Sequence, residues 1–167
     1  MKHNLINDFA VDKANNTITI TREFAAELPL VWDAFTKSEL LDQWWAPKPW
    51  KAKTKSQSFT EGGQWLYAMT GPEGEEHWSF ANYQTIHNHD YYTAKDGFCD
   101  SNGTINKDMP QSDWHMSFKS NGETTTVTTQ LKFQSLNQLE MTIQMGFKEG
   151  YSAASDNLVV LLEEWKK

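Results

Sequence analysis

Two side chains of this sequence could move protons and share one face of a strand. In the stretch from His77 to Ile86, period-two alternation puts His77, Ser79, Ala81, Tyr83 and Thr85 on one side. Trp78, Phe80, Asn82, Gln84 and Ile86 fall on the other. An imidazole and a phenol so placed offer a ligand hydrogen bonds or acid–base groups, if both come within about 3 Å of it. The competing reading is a satisfied structural hydroxyl and a half-buried or exposed imidazole. His87 and His89 form a His-x-His pair that could turn two imidazoles to one side. Two ligands are too few for a metal, and His115 or Asp90 would have to be brought in by the fold; otherwise the pair is a solvated turn. Cys99 lies beside Asp100 and close to Asp96, whose charges oppose thiolate formation and argue against a nucleophile. The pairs Glu75-Glu76 and Glu163-Glu164 sit in polar contexts and read as solvated surface. There is no Gly-x-Ser-x-Gly elbow, phosphate loop, dinucleotide fingerprint or zinc spacing. No catalytic residue, metal or cofactor is therefore assigned.

Aromatic residues are the more informative set. They make up 13% of the chain and include eight Trp, so any core or cavity must be built largely from rings. Trp65, Tyr67 and Met69 share a face opposite Leu66 and Ala68. Such a row either fills the core or leaves adaptable space, because rings and a flexible Met pack less completely than branched aliphatic residues.

The formal net charge of −7 argues against a large nucleic-acid interface, which needs clustered Lys and Arg. Lys51, Lys53 and Lys55 alternate along one strand face near Lys48, a common guard on an exposed edge; an anionic partner is the alternative. A lone Cys99 makes no internal disulfide, and Met1 to Ala10 contain no secretory apolar stretch, so a cytoplasmic protein is expected. No apolar run approaches the roughly 20 residues that span a bilayer. At 167 residues the chain is expected to be one domain, 1–167.

The elements that must position these groups follow an α+β pattern. Leu5–Val11 and Ile18–Phe24 read as a hairpin, with Asn15-Asn16 in the turn. Pro29 presets a first helical turn, and Leu28, Val31, Trp32 and Phe35 recur as a buried stripe. Thr36 and Glu39, in capping-box spacing, predict the start of a second short helix carrying Leu40, Leu41 and Trp44. From Trp50 to Phe133, turn signals such as Gly62-Gly63, Asn102-Gly103 and Asn121-Gly122 separate about six antiparallel strands, with a loop between Cys99 and Gln111. Ser135 and Gln138 open another short helix. Phe147, Tyr151, Ala154, Leu158, Leu161, Leu162 and Trp165 then mark an amphipathic helix of about 20 residues, about 30 Å long.

The order of several motifs resembles one family. They are Thr21-Arg22-Glu23-Phe24 with Val31-Trp32-Asp33-Ala34-Phe35-Thr36, Trp44-Trp45-Ala46-Pro47, Gly62-Gly63-Gln64-Trp65 with Met69-Thr70-Gly71-Pro72-Glu73-Gly74, and Gly146-Phe147-Lys148-Glu149-Gly150-Tyr151. Together they are similar to the START-like superfamily, and within it to the family of the C-terminal domain of the activator of the heat-shock protein 90 ATPase. The resemblance implies a helix-grip fold: a curved antiparallel sheet wrapped around the long C-terminal helix, with two short helices closing one end of the groove. It also implies an inward face carrying Trp65, Tyr67, Met69, His77 and Tyr83, gripped by Phe147 and Tyr151, as the lining of a ligand cavity. Ala81-Asn82 stand where relatives often have Gly two places before the Tyr, which implies a less kinked strand. Three functions are compatible with this resemblance. The first is a binding protein for a small apolar, lipid-like or aromatic molecule. The second is a cyclase, dehydratase or hydrolase-like enzyme using His77 and Tyr83. The third is a chaperone-interaction module. Fold alone does not choose among them.

Overall fold

A computed structural model describes residues 5–166. Met1 to Asn4, part of the stretch read above for a secretory signal, lie outside the described residues. Eight antiparallel strands form one sheet: β1 (Asn7–Asp12), β2 (Thr17–Phe24), β3 (Lys51–Gln57), β4 (Gln64–Thr70), β5 (Glu76–His87), β6 (Tyr91–Cys99), β7 (Ser112–Ser120) and β8 (Thr125–Phe133). Helices α1 (Leu28–Thr36) and α2 (Ser38–Trp44) stand between β2 and β3, and α3 (Leu136–Gln144) and α4 (Phe147–Trp165) end the chain. The order across the sheet is β1-β2-β8-β7-β6-β5-β4-β3. Six strands from β3 to β8 run as a meander, and β8 returns to pair with β2. The α1–α2 segment carries the chain between the two sides of the sheet.

The hairpin turn, the six middle strands and the long last helix form as the sequence predicts. Asn16 takes the left-handed conformation, φ 54°, that its short amide side chain tolerates. Lys51, Lys53 and Lys55 are exposed on β3, an edge strand paired on one side only. A register shift between Thr54 and Ser56 sets Lys55 apart, and its ammonium donates to the Ser101 carbonyl at 2.6 Å.

The predicted capping box at Thr36 does not form. Thr36 ends α1, and its hydroxyl turns back to donate to the Trp32 carbonyl at 2.8 Å, the local competition open to any Ser or Thr in a helix. Lys37 is the N-cap of α2 and gives it no side-chain bond. A tertiary contact substitutes: the Ser38 backbone N–H donates to Gln57 Oε1 on β3 at 2.8 Å. At α3 the prediction is met, with Ser135 Oγ accepting from the Gln138 N–H at 3.2 Å.

Side-chain size is graded across the concave face. Toward α1, the cross-strand row Tyr92–Met116–Thr129–Ile20 is buried and filled. It packs with the buried α1 residues Val31, Trp32 and Phe35 and with Phe118, whose ring lies 4.9 Å from Trp32. Toward the other end the row is Trp65–Ala81–Asp96–Ser112–Phe133, small at its centre. Helix α4 lies over the sheet with Ala154, Ser155, Leu158 and Leu162 buried. It is tied down by the Arg22–Asp156 ion pair at 2.7 Å and by Asn157 Nδ2 donating to the Ala46 carbonyl at 3.1 Å. This is the helix-grip arrangement.

Candidate functional site

A cavity of about 430 Å³ lies where the small row passes beneath the first turns of α4. Tyr67 and Met69 (β4), His77 and Ser79 (β5), Asp96 and Phe98 (β6), Ser112 and Trp114 (β7) and Leu131 and Phe133 (β8) supply its sheet side. Trp45, Pro47 and Trp50 wall one flank, and Thr142, Met145, Phe147, Gly150 and Tyr151 form the roof. The rings are contiguous: Trp45 lies 6.1 Å from Trp114 and 6.0 Å from Tyr151, and Phe147 lies 5.5 Å from Tyr151. Two glycines shape the roof. Gly146 turns the chain from α3 into α4 at φ 88°, and Gly150 exposes bare helix backbone beside Pro47.

Of the seven residues implied by the resemblance, Tyr67, Met69, His77, Phe147 and Tyr151 stand on the cavity wall. His77 is exposed at its mouth, 5.3 Å from the ring of Trp50. Trp65 and Tyr83 face the same side of the sheet but pack beside the cavity, buried in the core. Trp65 stacks on Tyr67 at 3.9 Å and donates to Thr54 Oγ1, which bonds Asp42 Oδ1 at 2.6 Å. The Tyr83 hydroxyl accepts from Gln57 Nε2 at 3.2 Å, and its ring meets Phe59 at 4.8 Å. His77 and Tyr83, six residues and about 20 Å apart along β5, do not converge on a common point.

Two of the wall's three indole N–H groups are bonded within the wall. Trp45 Nε1 donates to the Tyr67 hydroxyl at 3.0 Å, and Trp114 Nε1 to Ser112 Oγ at 2.8 Å. The Tyr151 hydroxyl and Thr129 Oγ1 share a bond of 2.9 Å. Burial first, and the Asp96 carboxyl second, push the Tyr67 phenol well above its ordinary value; burial pushes that of Tyr151 up to about 12. Both phenols stay protonated at neutral pH.

Asp96 joins the site although its only sequence signal beyond lying near Cys99 is the alternation Tyr92, Ala94, Asp96, Phe98, which puts a carboxylate on an otherwise apolar face. Its cross-strand neighbours, Ala81 and Ser112, are too short to cover it. Oδ1 is sealed from solvent and has no hydrogen-bond partner among the described residues. Burial, reinforced by the like charge of Asp113, holds the carboxyl well above the usual carboxylate range.

The remaining chemistry-bearing residues lie elsewhere. His87 stacks on Tyr91 at 4.6 Å, and Tyr91 on His115 at 5.0 Å, as an aromatic row outside the cavity wall. His89, at φ 61°, meets the edge of Trp32 at 5.8 Å. Among the described residues no group of three or more His, Cys, Asp or Glu is placed to hold a metal ion. Burial and Asp100 push the Cys99 thiol up, as the sequence implies. No helix among the described residues is long and apolar enough to cross a membrane.

Known proteins resemble this architecture closely. A protein of Arthrobacter aurescens, solved by NMR, superposes with a TM-score of 0.88 at 27% identity, covering 94% of this chain and 91% of its own. The crystal structure of Ms6760 from Mycobacterium smegmatis gives 0.87 at 28% identity, with coverage of 95% and 97%. A Staphylococcus epidermidis protein gives 0.81 at 29% identity, with coverage of 93% and 94%. No curated protein matches the chain. The sequence model of the Activator of Hsp90 ATPase homolog 1-like proteins matches residues 25–163, from the end of β2 to the last turns of α4. That span takes in every wall of the cavity, and the chain belongs to this START-like family.

Proposed function

We propose that this protein binds a small apolar or aromatic molecule in the groove between sheet and α4, as a single cytoplasmic domain. The observation that carries the reading is the cavity itself: about 430 Å³ falls within the usual size of small-molecule sites, and its walls are mostly apolar, with nine Phe, Tyr and Trp rings among them. Tyr67, Met69, Phe147 and Tyr151 contact the ligand and His77 stands at the entrance, while Trp65 and Tyr83 fix the wall from behind. At about 25 cal/mol per Å² of apolar surface removed from water, a few hundred Å² supply several kcal/mol before ordering costs, which is compatible with micromolar binding. Binding is favoured over catalysis because His77 and Tyr83, the acid–base pair that the enzyme reading requires, do not meet in the cavity.

The test has two arms. Natively purified protein is extracted and analysed by mass spectrometry for a bound organic molecule, and its thermal shift is measured across a lipid and aromatic metabolite library. A bound compound, or a saturable shift lost in a variant with the cavity filled, supports the reading. An empty extract together with no shift across the library overturns it.

A further inference from the structure

We propose that the cavity is selective for an amine: a molecule with an apolar or aromatic body and one protonated nitrogen, which the Asp96 carboxylate receives from the sheet side. This inference rests on the cavity being a ligand site and names the chemistry of what enters it.

Three observations point the same way. Asp96 stands on the cavity wall between Ala81 and Ser112, and its sealed Oδ1 lacks a donor among the described residues. Asp96 as a whole is half-buried on that wall, so a ligand N–H meets its other oxygen, Oδ2, and gives the carboxyl a bond the folded chain does not make. Second, the indole N–H groups of Trp45 and Trp114 are spent on Tyr67 and Ser112. These two wall indoles have no N–H left for a ligand acceptor, whereas a ligand donor is met by the Asp96 carboxyl. Third, the rings of Trp45, Tyr67, Trp114 and Tyr151 surround the space, and aromatic faces attract cations. Among the described residues no salt bridge reaches the carboxyl, and the charge acting on it is that of Asp113, which repels it. Asp113 points to the opposite, exposed face of β7, so a ligand ammonium in the cavity answers Asp96 alone, whose carboxyl gives up its proton as the ammonium binds.

The experiment uses matched head groups on common bodies. Phenyl, indolyl and naphthyl compounds, each as the ethylamine, the ethanol and the propionate, are titrated against the full chain by isothermal calorimetry at pH 7. The same series is run on Asp96→Asn and, in case the amide misfolds, on Asp96→Ala. For the bodies that bind, the amine is expected to be tighter than its alcohol by about tenfold to a hundredfold, the usual range for a charge-assisted bond. That margin is expected to vanish in the variants, and the propionate is expected to be weakest. Alcohols that bind as tightly as amines in the parent protein overturn the inference while leaving the cavity reading intact, and this comparison needs no variant. A preference for amines that persists in a folded Asp96 variant also overturns it. Failure of all nine compounds to bind overturns the inference, while the extraction and the library screen decide separately whether the cavity takes a ligand.

Discussion

Replacing Gly150 by alanine separates the local cost of a glycine in α4 from the role of its missing side chain in the cavity. Gly150 sits in regular helix, its N–H donating to the Gly146 carbonyl at 2.9 Å. A Cβ built there meets nothing nearer than Pro47 Cγ at 3.9 Å, an ordinary contact that adds no strain. The helix term then stands alone, and alanine is expected to stabilise the protein by about 0.5–1 kcal/mol. For a domain of this size each kcal/mol moves Tm by about 2–4 °C, so a rise of about 1–4 °C should appear by calorimetry, with a matching shift of the urea midpoint at constant m. Gly150→Leu extends the test. Its side chain has good helix propensity and enters open volume, so stability should at least equal that of the alanine variant while ligand uptake falls. A midpoint below that of the parent for alanine would refute the helical placement of Gly150, and one below for leucine alone would refute the open space beside it.

Three other substitutions probe neighbouring features. Gly146→Ala, four residues earlier, should act in the opposite direction: at φ 88° a Cβ is strained although nothing crowds it, and a loss of about 1–2 kcal/mol in urea unfolding is expected. Leu158 is 0% exposed under α4, and Leu158→Ala should cost about 3–5 kcal/mol, read as a Tm fall of roughly 6–20 °C. Asp96 predicts a pH dependence. Its carboxyl is raised above the ordinary value of 3.8 by burial and then by Asp113, so the folded chain holds the proton more tightly than the unfolded one. Its contribution to stability is therefore complete below about pH 4 and is lost as pH rises through the raised pKa, by about 1.4 kcal/mol per pH unit within that window. Asp96→Asn cannot titrate, so its urea stability should gain on the parent between pH 4 and 8; parallel profiles would refute the raised pKa.

Much of the architecture was legible because it is local and periodic. Alternation in β4, β5 and β8, turn residues such as Asn121-Gly122, and the three-and-four spacing from Phe147 to Trp165 each define an element without reference to any other. Ser135 capped α3 as read, since the cap and its partner are three residues apart. Thr36 did not, because one hydroxyl had two carbonyl and amide partners within reach and Gln57, nineteen residues after Ser38, had already taken the α2 amide. Motif order identified the family and, through it, five residues on the cavity wall.

What the chain by itself determined was which residues share a face. Which of them line empty space was decided by the tertiary register. Trp65 and Tyr67 are equivalent in alternation, yet Trp65 packs beside the cavity and Tyr67 on it. Asp96 is one charge among 22 acidic residues until β5 and β7 set Ala81 and Ser112 on either side of it. A cavity exists where small residues from several strands fall in one row under a helix, and rows are made by pairing strands distant in sequence. Periodicity along a single strand carries no record of that pairing.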